Sequence, residues 1–122
     1  MAYGQGEPKY DLEERTYQFA RRGRQFLKLV PRTPSNFEDG KQLIRSSGTV
    51  GANYIEANEC LGEKDFLLRI KICRKEAKES RYWSRLLDLE GKSDLEPERK
   101  AIAREAEELM RIFGAILRKR SG

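Results

Sequence analysis

Four blocks of this sequence carry apolar residues at three- and four-residue steps, and nowhere do apolar and polar residues alternate long enough to make a strand. That pattern restricts the chain to helices, each with an apolar stripe to cover. The first block opens at "DLEE", where Asp11 as N-cap and Glu14 three residues on make a capping-box start. Leu12, Thr16, Phe19, Gly23, Phe26 and Val30 trace its stripe, and Pro31 and Pro34 end it. "SNFE" repeats the signal, with Ser35 as cap and Glu38 reaching back. The second block shows two stripes, Phe37, Ile44, Gly48, Gly51 and Ile55 on one and Leu43, Ser47, Val50, Tyr54 and Ala57 on the next. Glycine inside a helix costs up to about 1 kcal/mol relative to alanine, so another backbone is expected to approach closely there. Gly62 is the expected stop.

The third helix is expected from about Lys64 to Leu89, with Phe66, Ile70, Cys73, Ala77, Ser80, Ser84 and Leu87 facing the core. After "GKSDLEPE", where Ser93 and Glu96 suggest another capping box, the last helix carries Ile102, Ala106, Leu109, Phe113 and Ile116 and frays into "RKRSG". Four helices with short loops predict an all-α fold, an antiparallel up-down-up-down four-helix bundle. A flexible leader covers 1–9 and a single domain 10–120. A chain of 122 residues is long enough to bury a core without disulfides or metal.

Ile72, Glu76, Glu79 and Trp83 share one helical face beside the core stripe. A carboxylate between large apolar groups is better explained as half-buried and paired than as a solvated charge. The second helix offers a matching stripe in Gln42, Ser46, Thr49, Asn53, Glu56 and Cys60, mostly neutral and hydrogen-bonding, with Arg45 beside it. A polar stripe next to a small-residue stripe implies that this helix is covered on more than one side. One four-helix chain does not arrange that easily, so a second copy is the expected cover and the chain an oligomer. Arg45, Ser46, Asn53, Glu56, Glu76, Glu79 and Trp83 are the candidates for contacts between helices or subunits.

Histidine is absent. That removes the usual general base, the Ser-His and Cys-His pairs and the Glu-x-x-His ligands of di-iron bundles. Glu76 and Glu79 have no accompanying base, nucleophile or phosphate loop. The chain is therefore expected not to be an enzyme, and no catalytic residue, cofactor or metal site is assigned. Cys60 and Cys73 lack a CxxC arrangement and fit a reducing cytoplasm. The N-terminal stretch has no apolar core like that of a secretory signal, and no run approaches the roughly 18 apolar residues of a membrane span.

The net charge of +5 favours a polyanionic partner. The excess is concentrated, because eight basic residues face three acids between Lys64 and Arg85. Lys71, Arg74, Lys78, Arg81 and Arg85 follow helical steps as one ridge, and the first helix adds Arg21, Arg22, Arg24 and Lys28. A solvated face is the plain reading, and contact with nucleic-acid phosphates is the functional one. No helix-turn-helix, zinc-finger or RNP-type motif supports base-specific reading. The expectation is a non-enzymatic oligomeric bundle that binds RNA or DNA non-specifically. The competing one is a protein–protein scaffold or an accessory subunit of a nucleic-acid enzyme such as a reverse transcriptase.

"GKQLIRSSGTVGANYIEANE" followed by "KDFLLRIKICRKEAKESRYWSRLL" resembles the four-helix-bundle family of proteins encoded in intervening sequences of bacterial 23S ribosomal RNA genes. The resemblance runs from about Tyr10 into the last helix. It implies an antiparallel four-helix bundle, a ring-like homopentamer and a bacterial cytoplasmic protein whose role is not settled. It supplies no catalytic residue. A similar fold serves as the basic accessory protein of diversity-generating retroelements, which partners a reverse transcriptase and nucleic acid. The number five rests on the resemblance alone.

Overall fold

The structure, a computed structural model, describes residues 8–121. Four helices follow one another: α1 (Pro8–Leu27), α2 (Pro34–Glu59), α3 (Glu63–Leu86) and α4 (Glu96–Ser121), the last entered through a 3-10 turn at Ser93–Leu95. Among the described residues there is no strand.

The helix ends differ from the expected ones for local reasons. α1 starts at Pro8, ahead of Asp11, because a proline loses nothing in a first turn whose N–H groups have no helical partner. Residues 8 and 9 of the expected leader are therefore helical, while residues 1–7 and the Asp11 side chain lie outside the described part. α2 is capped by Thr33 rather than Ser35. The Thr33 hydroxyl accepts from the Asn36 N–H at 3.1 Å, and Pro34 takes the first helical position. The Asn36 side chain is buried, donates to the carbonyls of Pro31 and Asp88, and accepts from the Asp88 N–H. It thereby ties the entry of α2 to the exit of α3. α2 ends at Glu59, with Cys60 N–H on the Ala57 carbonyl, and Gly62 serves as the N-cap of α3 instead of the stop of α2.

α3 stops at Leu86, short of Leu89. Arg99, reaching from α4, donates to the Ser84, Arg85 and Leu87 carbonyls and satisfies that end. Ser93 makes no capping bond, and Glu96 pairs forward with Arg99 at 3.0 Å. The connection turns at Glu90 and Gly91, both with positive φ (51° and 78°). α4 does not fray at "RKR", because Arg120 bonds Glu63 and lies 4.2 Å over the Phe66 ring.

The core is built from one stripe of each helix, with Phe19, Phe26, Leu43, Val50, Ile70, Leu109 and Phe113 at its centre. The two stripes of α2 part company. Leu43, Ser47, Val50, Tyr54 and Ala57 are buried, whereas Phe37 and Ile55 are 66% and 51% exposed and Ile44 stands at the rim. Glycines on the outer stripe receive α1 side chains: a Cβ on Gly51 would stand 2.9 Å from the Thr16 hydroxyl, and one on Gly48 3.2 Å from the Arg24 guanidinium. On α4, Leu117 is buried where Ile116 was expected, and Ile116 is half-buried against the core. Backbones approach most extensively between α2 and α3 and between α3 and α4, and least along the α1–α4 side, while α1 and α3, like α2 and α4, stand diagonally opposed.

Candidate nucleic-acid interface

The polar stripe of α2 and the glutamates of α3 meet inside one chain. Glu76 is only 5% exposed. Arg45 reaches it at 3.4 Å and Glu79 at 3.5 Å, and Lys75 stands 3.7 Å from its other oxygen. The Ser80 hydroxyl lies 2.8 Å from the Ser46 hydroxyl and 2.9 Å from the Glu76 carbonyl. Asn53 accepts from Arg69 at 2.9 Å and donates to the Thr49 carbonyl. Arg45, Ser46, Asn53, Glu76 and Glu79 thus form a seam between α2 and α3. Glu56 is exposed and makes no hydrogen bond or ion pair among the described residues. Trp83 packs edge-on against Tyr82 with ring centroids 5.1 Å apart, and its buried indole N–H has no partner.

The basic residues divide into two surfaces, because α1 and α3 sit on opposite corners with no close backbone approach among the described residues. On α1, Arg22 is committed to Glu98 by two hydrogen bonds, which raise the guanidinium and hold the carboxyl below the usual carboxylate range. Arg24 donates to the Ala20 and Ile44 carbonyls. Arg21 and Lys28 are left exposed without an ion pair. On α3, Lys71, Arg74, Lys78 and Arg85 are exposed, and Arg81 is half-buried, 3.7 Å from Glu107.

Two cations that the sequence reading did not select join the α3 set. Arg111 and Arg118 of α4 face Lys71, Arg74, Lys75 and Lys78 across a groove of about 780 Å³ floored by Met110 and Gly114. Among the described residues no acidic one lines it. The sequence did carry a signal, because no Asp or Glu follows Glu108, and Arg111 and Arg118 are one heptad apart around Gly114.

Other chemistry finds little support. Burial pushes the Cys73 thiol up to about 12, so it stays protonated and unreactive. Among the described residues no group of three or more His, Cys, Asp or Glu is placed to hold a metal ion. No described helix is long and apolar enough to cross a membrane.

Against this geometry, the sequence model of a family described as 23S rRNA-intervening sequence protein matches residues 9–115. No curated protein matches this chain. A crystal structure from Bacteroides thetaiotaomicron, described as a protein with unknown function from the S23 ribosomal protein family, superposes with a TM-score of 0.77 and 25% identity. The superposition covers 90% of this chain and 97% of the other.

Proposed function

This chain belongs to the 23S rRNA-intervening sequence protein family, and from that premise we propose that it is a non-enzymatic, self-assembling bundle that binds RNA or DNA through backbone phosphates. One observation carries the binding half. Arg15, Arg22, Arg99, Arg111 and Arg120 each close on a carboxylate, whereas Lys71, Arg74 and Lys78 close on none among the described residues. Such a row releases counterions when phosphates dock, which gives affinity without sequence preference.

The bundle is antiparallel. As α1 advances from Arg15 to Arg22, its partner on α4 retreats from Glu105 to Glu98. As α2 advances from Ser46 to Asn53, its partner on α3 retreats from Ser80 to Arg69. Self-assembly follows from two unpaired outer stripes. Phe37, Ile44 and Ile55 on α2, and Leu68, Tyr82 and Leu86 on α3, are exposed and keep the 3.5-residue spacing of a coiled-coil seam. Two different stripes on neighbouring helices suit a head-to-tail contact, which gives a ring when the rotation between copies closes. Five copies is the number the family resemblance implies, and the reducing cytoplasm is the compartment that suits its two free cysteines.

Light scattering tests the assembly: a mass several times 14.2 kDa is expected, and a monomer refutes it. Binding to short RNA and duplex DNA across a salt series tests the rest. Affinity should fall steeply with salt, and reversing Lys71, Lys78 and Arg85 together should weaken it with the fold intact. No binding by the wild type at low salt refutes the reading. The exposed Leu68, Tyr82 and Leu86 support a second reading, a scaffold or accessory subunit for a nucleic-acid enzyme. A protein partner captured after nuclease treatment would favour it.

A further inference from the structure

We infer that the groove between α3 and α4, not the α3 ridge as a whole, is the phosphate site, and that it holds one phosphodiester strand without reading its bases. The inference rests on the nucleic-acid reading above and says where and what the ligand is.

Gly114 builds the site. A Cβ at this position would stand 3.4 Å from the Arg118 guanidinium and 3.7 Å from the Arg74 Cδ, so the two arginine side chains converge over one bare stretch of α4. Neither makes a hydrogen bond or ion pair among the described residues. Like charges brought together without a carboxylate raise the free energy of the empty protein, and an anion between them reverses the sign of that interaction. Lys71 and Lys78 stand on the α3 wall, also unpaired, while Lys75 and Arg111 each have a carboxylate already, Glu76 and Glu107.

The neighbouring groove shows the contrast. There Glu96 and Glu107 stand in the lining itself and pair with Arg99 and Arg81, although Arg85, Lys100 and Arg104 make no ion pair among the described residues. The α3–α4 groove has no such acid.

Its dimensions and lining choose the ligand. Lys71 to Lys78 and Arg111 to Arg118 each span seven residues, about 10 Å of helix. That accommodates a short run of consecutive phosphates of one strand. The lining has no aromatic ring to stack on a base and no amide to read its edge. Its charged groups pair with backbone phosphates, which RNA and DNA share, so the two are expected to be held alike.

Fluorescence anisotropy with labelled oligo(U) and oligo(dT) tests this, with inorganic polyphosphate as competitor. Both oligomers should bind with similar affinity, and polyphosphate should displace them. Arg74→Glu with Arg118→Glu should lower affinity by at least about tenfold and flatten the log–log salt slope by about 1.4, or about 0.7 for each of two lost phosphates. Gly114→Leu keeps every charge but fills the floor, and should weaken binding several-fold. Arg21→Glu with Lys28→Glu changes net charge equally on the other surface and should alter affinity by less than about twofold. Circular dichroism and particle mass establish that each variant is folded and assembled. If the wild type binds but the α1 pair loses as much as the groove pair, or Gly114→Leu binds like the wild type, the groove is refuted and diffuse charge remains. If the wild type binds neither oligomer, the nucleic-acid reading fails with it.

Discussion

Removing the cation from the α2–α3 seam should destabilise the protein more than neutralising the acid, although both changes break the same ion pair. The reason is unequal burial. The Glu76 side chain is 6% exposed and that of Arg45 is 50% exposed. In Arg45→Met the aliphatic stem is kept, but among the described residues the buried carboxylate is left with only Lys75, at 3.7 Å, as an ion-pair partner. Stranding a fully buried charge costs 3–5 kcal/mol. Here the Arg45 contact is long at 3.4 Å and one side is wet, so about 2 kcal/mol is the expected cost. In Glu76→Gln the volume is kept and Arg45 turns to solvent, so the loss is that of a screened pair, about 0.5–1 kcal/mol. The double variant strands nothing and should cost about as much as Glu76→Gln alone. Urea denaturation followed by circular dichroism, at one fixed protomer concentration because association adds to stability, supplies the three values. The shifts correspond to a Tm drop of about 8 °C for Arg45→Met and about 2–4 °C for the other two. Strictly additive single costs, or an Arg45→Met variant as stable as the wild type, would refute the argument from unequal burial.

Gly51→Ala should lower stability by about 1 kcal/mol. The new Cβ meets the Thr16 hydroxyl at 2.9 Å, that hydroxyl is held by the Leu12 and Glu13 carbonyls, and overpacking outweighs the helix-propensity gain. Gly48→Ala should have the opposite sign and raise Tm slightly, because the atom it meets is the exposed end of the long Arg24 side chain, which gives up at most its 3.4 Å bond to the Ile44 carbonyl; melting curves of the two variants check this. Asn36→Ala should cost about 2–3 kcal/mol in urea denaturation, since it removes three hydrogen bonds and leaves the part-buried N–H and carbonyl of Asp88 without this partner, while the Pro31 carbonyl keeps the Thr33 N–H. Iodoacetamide on the native protein should label Cys60 and spare Cys73 until the chain is unfolded, as mass spectrometry would show. The same raised thiol fixes a sign for pH. The unfolded chain ionises Cys73 first, near 9, so stability falls as pH climbs from about 9 towards 12. Cys73→Ala should flatten that decline.

The core stripes of α1 and α3 were legible because each of those helices turns one periodic face inward. α2 was not fully legible, because periodicity says which residues share a face and not which of two apolar faces meets the core. Phe37, Ile44 and Ile55 form as regular a stripe as Leu43, Val50 and Tyr54, and only packing separates them. The cap at Thr33 was hidden by Pro34, which occupies the first helical position between the true cap and the expected one. Asn36 and Arg99 bond partners up to 52 residues away, so nothing local announces them. Arg22 was lost from the candidate site for a similar reason, since its partner Glu98 lies 76 residues on. The basic groove was half seen. Its α3 wall is a single-helix pattern, whereas Arg111 and Arg118 matter only once α4 is known to lie beside it.

The distribution of charge follows the strength of packing. α1 and α4 touch least, and that seam is bridged by ion pairs, Arg15 to Glu105 and Glu108 and Arg22 to Glu98. α3 and α4 pack far more extensively, and their seam is bridged by ion pairs only near its ends, Arg81 to Glu107 and Arg120 to Glu63. Between those ends the rim carries cations alone. If its positive charge served solubility, interspersed acids would do the work at lower cost, as they do on the α1–α4 side. A cation-only rim is tolerable where apolar burial already holds the helices together, because packing offsets the repulsion that weakly joined helices could not absorb. The well-packed α3–α4 seam is therefore a place where this fold can keep a stretch of positive charge unpaired, and that is where Gly114 brings Arg74 and Arg118 together.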